Sequence, residues 1–139
     1  MSDNTQFSQD DLERNKHLVR EFYRRVFDAR NPDAVRDFVT EDYKQHNRHI
    51  PSGRAGLEAF VKAVFPEGPV AEPPEMLIPP TFMVAEGDMV ITAAYLPQPE
   101  PDAPGETYDY YIFDAFRIRD GKLSEHWGSV NKIAPPKHG

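Results

Sequence analysis

Cysteine is absent from this sequence of 139 residues. Its absence excludes disulfide bridges, thiolate metal sites and cysteine nucleophiles. Long hydrophobic runs are also missing, and none approaches the length needed to span a bilayer. The first residues, MSDNTQFSQDD, are polar and acidic and lack the apolar stretch of a signal peptide. Together these absences predict a cytoplasmic protein.

Positive charge is scarce, with 16 Lys and Arg residues against 23 Asp and Glu residues and a formal net charge of −7. No basic stripe is visible, so the sequence predicts no nucleic-acid partner. An anionic membrane surface would repel such a chain, which predicts no membrane partner either. Hydrophobic residues make up 39% of the chain, enough to build an ordered core. The length predicts one domain over residues 1–139, with flexible tails at 1–7 and 134–139.

The first half of the chain has helical periodicity. Ser8 and Asp11 form a capping-box pattern ahead of a long amphipathic stretch. A second helix is predicted from Asn31 and Pro32, which suit the cap and the first helical position. A third is predicted from Arg54. Its apolar residues recur at helical spacing: Leu57, Phe60, Val61, Val64 and Phe65. Between the second and third helices, residues 41–53 are predicted to be extended or looped, with side chains that can point into a site.

The second half changes to strand periodicity. Two apolar runs within residues 76–97 meet at Glu86-Gly87-Asp88, which predicts a hairpin. Residues 107–119 form the strongest strand pattern, and an Asp120-Gly121 turn leads into a last strand. Residues 97–106 are rich in proline and predict an exposed connection or flap. Helices followed by strands predict an α+β domain, with three helices packed on one face of an antiparallel sheet.

Strand alternation places Asp114 in a row of aromatic and aliphatic side chains. Tyr110, Ile112, Asp114, Phe116 and Ile118 share one face, because successive residues of a strand point to opposite sides. Partial desolvation prepares a lone carboxyl group for proton transfer. Reflection about the Asp120-Gly121 turn brings position 114 near positions 126 to 128.

His126 is therefore a predicted neighbour of Asp114, and an acid beside an imidazole is suited to acid–base chemistry. Three alternatives remain at this point. Asp114 could simply satisfy a buried tyrosine hydroxyl or a histidine N–H. Trp127 is expected to serve packing or a dimer interface. His46 and His49 could bind a metal with Asp114 or His126, although their spacing matches no established metal motif.

Two segments, YKQHNRHIPSGRAGLEAF and YYIFDAFRIRDGKLSEHWGSVN, resemble the SnoaL-like polyketide cyclase family. That family lies within the superfamily of ketosteroid isomerase and scytalone dehydratase. The matching features, spread over roughly residues 12 to 133, are Tyr43, Gln45-His46-Asn47, the helix led by Gly53, Asp114 with Phe116-Arg117, Asp120-Gly121-Lys122, and Glu125-His126-Trp127. The resemblance implies a curved sheet wrapped by helices into a cone, an internal apolar cavity, and a homodimer built on the outer face of the sheet.

The resemblance also implies ring closure by intramolecular aldol chemistry without a metal or cofactor. Members of the family typically have Asp after His-Trp as the acid–base residue, whereas this chain has Gly128. Glycine transfers no proton, and the missing side chain is expected to enlarge the cavity. Either Asp114, with His126 or His46, has taken the role, or this member performs different chemistry or none.

Three functions remain open from the sequence. The first is a cofactor-independent cyclase or isomerase acting on a small hydrophobic carbonyl compound, polyketide- or steroid-like. Its catalytic residues are predicted to be Asp114, His126 and His46, and its substrate-binding residues are predicted to be Tyr43, Asn47, Tyr110, Phe116 and Gly128. The second is a binding module that holds an apolar ligand without changing it. The third is a metal-dependent hydrolase using His46 and His49.

Overall fold

The computed structural model describes residues 7–129 and Lys132. Helix α1 spans Gln9–Phe22 and continues directly as a π-helix over Tyr23–Asp28. A short 3₁₀ turn, Pro32–Ala34, leads into helix α2, Val35–Phe38, and helix α3 spans Arg54–Val64. The tails predicted at 1–7 and 134–139 lie outside the described residues except for Phe7, and the single domain over 1–139 remains a prediction.

Within the residues that the structure describes, seven strands accompany these helices. They are β1 (Val39–Gln45), β2 (Phe82–Glu86), β3 (Met89–Tyr95), β4 (Gln98–Pro99), β5 (Thr107–Tyr108), β6 (Tyr111–Arg119) and β7 (Lys122–Gly128). Five of them form one sheet in the order β1-β7-β6-β3-β2, and β4 pairs with β5 in a separate ribbon. The predicted α+β class, a curved sheet wrapped by helices in the manner of a cone, is confirmed. The sheet is mixed and does not close into a barrel.

Capping and turn residues have the predicted local roles. The Ser8 hydroxyl accepts the Asp11 N–H at 3.1 Å, and the Asp11 carboxylate accepts the Ser8 N–H at 2.9 Å. Asn31 caps the 3₁₀ turn by accepting the Asp33 N–H at 3.0 Å. Gly121 has a φ of 76°, a value that glycine adopts without steric cost in the tight turn between β6 and β7.

The extended part of the segment 41–53 is confirmed, and the second helix differs from the prediction. The first part of the segment 41–53, together with Val39 and Thr40, is strand β1, which runs parallel to β7 at the edge of the sheet. Alternation along β1 buries Tyr43, whose side chain enters the core. The second helix, predicted from Asn31 and Pro32, begins instead as the 3₁₀ turn Pro32–Ala34, and α2 ends at Phe38 because the backbone at Val39 is already extended.

The core lies between the helices and the inner face of the sheet. Its buried hydrophobic members are Val19, Phe22, Val26, Ala34, Val35, Phe38, Val39, Tyr43, Leu57, Val61, Val90, Phe116, Ile118 and Leu123. Phe22 packs edge-to-face against Phe38 and Phe116, with ring centroids 6.2 and 5.8 Å apart. Over residues 7–129, we find no helix with the length and apolar character required to cross a membrane.

Candidate active site

A cavity of about 310 Å³ opens between the helices and the inner face of the sheet. Most of its wall is aromatic or aliphatic. Its lining residues are Phe22, Tyr23, Phe27, Asp28, Tyr43, Gln45, Asn47, Ile50, Leu57, Phe60, Met76, Ile78, Pro80, Thr92, Ala94, Leu96, Ile112, Asp114, Phe116, His126 and Ser129. A concave apolar wall carrying a few polar groups is typical of a small-molecule site.

Asp114 and His126 form a hydrogen-bonded pair on this wall. Asp114 Oδ1 lies 2.8 Å from His126 Nε2, and each residue is only 8% exposed. The pairing register across the β6–β7 hairpin places Asp114 opposite Gly128 and Phe116 opposite His126. The predicted proximity of Asp114 and His126 is therefore confirmed.

Gln45 determines the protonation of the histidine ring in this pair. Its Oε1 atom accepts the backbone N–H of Asn47 at 3.1 Å and lies 2.6 Å from His126 Nδ1. Because Oε1 acts as an acceptor, Nδ1 must carry a hydrogen. Nε2 and Asp114 Oδ1 then share one further proton, since a carboxylate facing an imidazole lone pair at 2.8 Å would be repulsive. With either location of that proton, the pair has zero net charge.

Tyr23 holds the other oxygen of the same carboxyl group. Its hydroxyl donates to Asp114 Oδ2 at 2.9 Å and lies 3.5 Å from the hydroxyl of Thr92. Burial, and then the charge of Asp114, raise the pKa of Tyr23 well above its usual range. The phenol therefore stays protonated and acts as a permanent donor to the carboxyl group.

The π-helix determines where Tyr23 points. Tyr23 is the first residue of this helix and Asp28 is the last. The Ala29 N–H donates to the Arg24 carbonyl five residues back, at 3.1 Å. An i→i+5 repeat brings residues five apart onto one face of the helix. Tyr23 and Asp28 both line the cavity as a result.

Gly128 leaves the space that the Asp114–His126 pair occupies. A Cβ atom at position 128 would lie 2.9 Å from Asp114 Oδ1, 2.9 Å from His126 Cε1 and 3.2 Å from His126 Nε2. The first two distances are shorter than van der Waals contact allows, so any side chain here would push the pair apart. The missing side chain was expected to enlarge the cavity. Instead the Asp114 carboxyl group fills that space, and Gly128 is absent from the lining.

Five of the predicted site residues line the cavity: Tyr43, Asn47, Asp114, Phe116 and His126. Burial, and then the charge of Asp114, raise the pKa of Tyr43 far above its usual range, so it also stays a neutral phenol. Tyr110 is not part of the lining. It precedes β6, where its carbonyl accepts the Leu96 N–H at 2.8 Å.

His46 lies apart from the pair, on the outer side of the sheet. Its Nε2 atom is 2.7 Å from Glu125 Oε2, and its ring stacks on Trp127 at a centroid distance of 4.9 Å. Glu125 alternates with His126 along β7 and so faces away from the cavity. The hydrogen bond from His46, and then Arg117, lower the pKa of Glu125. The geometry thus gives His46 outward-facing partners.

Five lining residues with polar groups were absent from the predicted site: Tyr23, Asp28, Gln45, Thr92 and Ser129. Gln45 and Thr92 carried a usable signal, since both lie on strands and alternate with outward-facing neighbours. Tyr23 and Asp28 carried none, because an α-helical repeat does not predict the extra residue of a π-turn.

The metal hypothesis finds no ligand set in the part of the chain that the structure describes. Within residues 7–129, no group of three or more His, Asp or Glu side chains is arranged to hold a metal ion. Both ring nitrogens of His126 already have partners. His49 Nε2 is buried without a hydrogen-bond partner, and we assign it no role.

A curved sheet wrapped by helices around an apolar cavity, with a carboxyl–imidazole pair on its wall, defines a cone-shaped α+β fold of the small-molecule cyclase and isomerase type. The family model of the SnoaL-like domain matches residues 19–126. The chain therefore belongs to the SnoaL-like family.

Solved structures share this fold at low sequence identity. A protein from Bacillus cereus, provisionally named a polyketide cyclase, is 20% identical, with a TM-score of 0.62 over 91% of this chain and 80% of its own. A SnoaL-like polyketide cyclase from Agrobacterium tumefaciens is 14% identical, with a TM-score of 0.62 over 86% and 93%. An LEH-like epoxide hydrolase from M. tuberculosis is 11% identical, with a TM-score of 0.59 over 85% and 83%. The search of curated proteins found no match.

Proposed function

We propose that this protein is a cofactor-independent acid–base catalyst that acts on a small hydrophobic carbonyl compound. The observation that carries the proposal is the Asp114–His126 pair, held at 2.8 Å on the wall of an apolar cavity. Acid–base groups in such a setting are suited to proton transfer next to a carbonyl group. Two structural relatives carry the name polyketide cyclase, one of them provisionally, and these names agree with a cyclase or isomerase reaction.

Asp114 is the base in this proposal. Its carboxylate takes a proton from the carbon next to the substrate carbonyl. Meanwhile the imidazolium of His126 stays hydrogen-bonded to Asp114 Oδ1. The resulting enolate either receives the proton from Asp114 at another carbon, which is isomerisation, or attacks a second carbonyl of the same molecule, which closes a ring and gives an alkoxide that takes the proton back from Asp114. Tyr43 and Asn47 are the proposed donors to the substrate oxygen, because both line the cavity and Tyr43 remains a neutral phenol.

Deuterium uptake in D₂O tests the role of Asp114 directly. A panel of β-keto esters and cyclic enones is incubated with the wild type and with Asp114→Asn, and exchange next to the carbonyl is followed by NMR. General acid–base catalysis contributes roughly 10²- to 10⁴-fold in rate, so a loss of that order is expected. His46→Gln serves as the matched control, because it changes a histidine on the outer side of the sheet and should leave exchange intact. Equal exchange by the wild type and Asp114→Asn would refute the proposal.

A second candidate function is a binding module that holds an apolar ligand unchanged. The observation that favours it is that the protein itself supplies the hydrogen-bond partners of Asp114 and His126. Both oxygens of Asp114 and both ring nitrogens of His126 already have hydrogen-bond partners. Recovery of a tightly bound ligand in unaltered form, with no deuterium uptake by the wild type across the panel, would decide for this function.

We also propose that two copies associate through the outer face of the sheet. Phe82, Tyr111 and Phe113 are 47, 48 and 47% exposed there. Facing pairs continue this apolar surface, with ring centroids 6.1 Å apart for Phe82–Phe113 and 5.2 Å apart for Tyr95–Tyr111. Exposed apolar surface of this extent is typical of an interface.

Light scattering coupled to size-exclusion chromatography tests the association. A dimer is expected for the wild type and a monomer for Phe113→Glu, whereas a monomeric wild type would contradict the proposal. A cytoplasmic location remains a prediction from the sequence.

A further inference from the structure

The cavity has an uneven set of ionisable groups. Its lining includes two carboxyl groups, Asp28 and Asp114, and one imidazole, His126. Among the described residues that line it, none is lysine or arginine. Among these described residues, a ligand in the cavity therefore meets no cation other than the imidazole of His126, which is paired with Asp114.

The Asp114–His126 pair adds no net charge to that wall. Gln45 Oε1 accepts from Nδ1 of His126, so Nδ1 carries one hydrogen. A second proton is shared between His126 Nε2 and Asp114 Oδ1. The two groups of the pair are either a carboxylate with an imidazolium or a carboxylic acid with a neutral imidazole. When Asp28 is ionised, its negative charge is consequently the net charge of the cavity wall.

Asp28 is positioned by the protein but retains a free oxygen. Its Oδ2 atom accepts the backbone N–H of Leu77 at 3.0 Å. This bond fixes the side chain at the end of the π-helix, under the loop that carries Met76 and Ile78 into the cavity wall. Burial is the main cause that raises the pKa of Asp28.

The positive charge of Arg24 lowers the pKa of Asp28 only as a minor cause. Arg24 forms its ion pairs with other carboxylates. It forms a two-point contact with Glu21, at 2.6 and 3.0 Å, and lies 3.6 Å from a Glu72 oxygen. Its Nη1 group, the one near Glu72, also donates to the Pro73 carbonyl at 2.8 Å. Asp28 thus faces the cavity with no lysine or arginine beside it among the described lining residues.

We propose that Asp28 determines ligand specificity by charge, so that the cavity accepts apolar ligands that are neutral or cationic and rejects anionic ones. The proposal rests on the cavity being the ligand site, as the proposed function requires. A carboxylate within a low-dielectric wall repels an anion and attracts an ammonium group more strongly than it would in water. Its free oxygen can also accept a hydrogen bond from a ligand hydroxyl or amine.

Two fluorescent probes that differ by one charge test the proposal. Phenylnaphthylamine is neutral, and anilinonaphthalene sulfonate is the same ring system with a sulfonate group. Like charges some 8 Å apart at an effective dielectric constant near 20 weaken binding by tenfold or more, so about that preference for the neutral probe is expected. Asp28→Asn, which keeps an oxygen to accept the Leu77 N–H, should tighten binding of the sulfonate by about tenfold and leave the neutral probe unchanged.

Two controls locate the effect. Glu67→Gln removes an equal charge from an exposed side chain outside the cavity and should leave the preference at the wild-type value. Ala94→Phe places a ring in the lining and should abolish binding of both probes, which excludes binding on the outer face of the sheet. Circular dichroism establishes that each variant is folded.

Three results would overturn the proposal: equal affinity of the wild type for both probes, an unchanged preference in Asp28→Asn, or binding of neither probe in the cavity. The experiment involves no turnover, so loss of the proposed catalysis would leave it intact. Conversely, the absence of a charge preference would leave the deuterium test of Asp114 unaffected.

Discussion

Replacing Gly128 with alanine tests how closely the Asp114–His126 pair depends on the missing side chain. The new Cβ would lie 2.9 Å from both Asp114 Oδ1 and His126 Cε1. Ordinary contact begins near 3.4 Å, so the two groups must each move by about half an ångström. The Ser129 N–H also donates to the Phe113 carbonyl at 3.0 Å, so the backbone of β7 has little freedom to retreat.

Overpacking of this kind costs about 1–3 kcal/mol. For a chain of this size that loss lowers Tm by roughly 3–10 °C. Urea unfolding monitored by circular dichroism measures the stability. Deuterium exchange measures the consequence for the pair, and a loss of at least tenfold is expected, because proton transfer requires hydrogen-bond geometry.

A double-mutant cycle separates the contact with Asp114 from other effects of alanine at position 128. With Asp114→Ala already present, the Oδ1 atom is gone, and Gly128→Ala should cost clearly less than in the wild type. Wild-type stability of the single variant would refute the steric argument. An equal cost in both backgrounds would refute the role assigned to Asp114 in it.

Three further outcomes are expected. Tyr23→Phe removes a hydrogen bond to the Asp114 carboxyl group, so stability should fall by about 1.5–3 kcal/mol in urea unfolding and deuterium exchange should slow; unchanged values for both would contradict its role as a donor. Gln45→Leu leaves the buried Nδ1–H of His126 without an acceptor and should cost about 1–3 kcal/mol, measured in the same way, whereas no loss would show that the ring does not need this partner. Burial raises the pKa of Asp28 in the folded state above its pKa in the unfolded state. The free energy of unfolding of the wild type therefore increases as the pH falls from the folded-state pKa to the unfolded-state pKa. Asp28→Asn should therefore be the more stable protein at pH 7, with an advantage that shrinks by pH 4 in urea titrations, and a constant difference would contradict the sign.

The inner face of the β6–β7 hairpin was predictable from the sequence because it depends on local rules. Alternation assigns Asp114 and Phe116 to one face, and the Asp120-Gly121 turn sets which residues oppose them across the hairpin. Both rules act within about fifteen residues of chain. The same reasoning identified the helices, since their caps and apolar repeats are local signals.

The remainder of the site depends on contacts that local patterns do not encode. Strand β1 joins the sheet in parallel with a strand about 80 residues later, and this pairing decides that His46 lies beside Glu125 on the outer side while Gln45 reaches His126. Tyr23 reaches Asp114 only because the helix changes to a π-turn there. The function of Gly128 could not be predicted either. The space that it leaves is occupied by the side chains of Asp114 and His126, and their positions depend on the folded structure.

An exchange of positions between the two strands tests the central claim, that Asp114 is the base and that Gly128 gives it room. Asp114→Ala should abolish deuterium exchange next to a ketone carbonyl. The double variant Asp114→Ala/Gly128→Asp returns a carboxyl group to the same space from the opposing strand, beside the same His126. We predict that it recovers a substantial part of the lost exchange, while Gly128→Asp alone stays inactive because two carboxyl groups compete for one space. Full exchange by Asp114→Ala, or no recovery in a folded double variant, would contradict the claim.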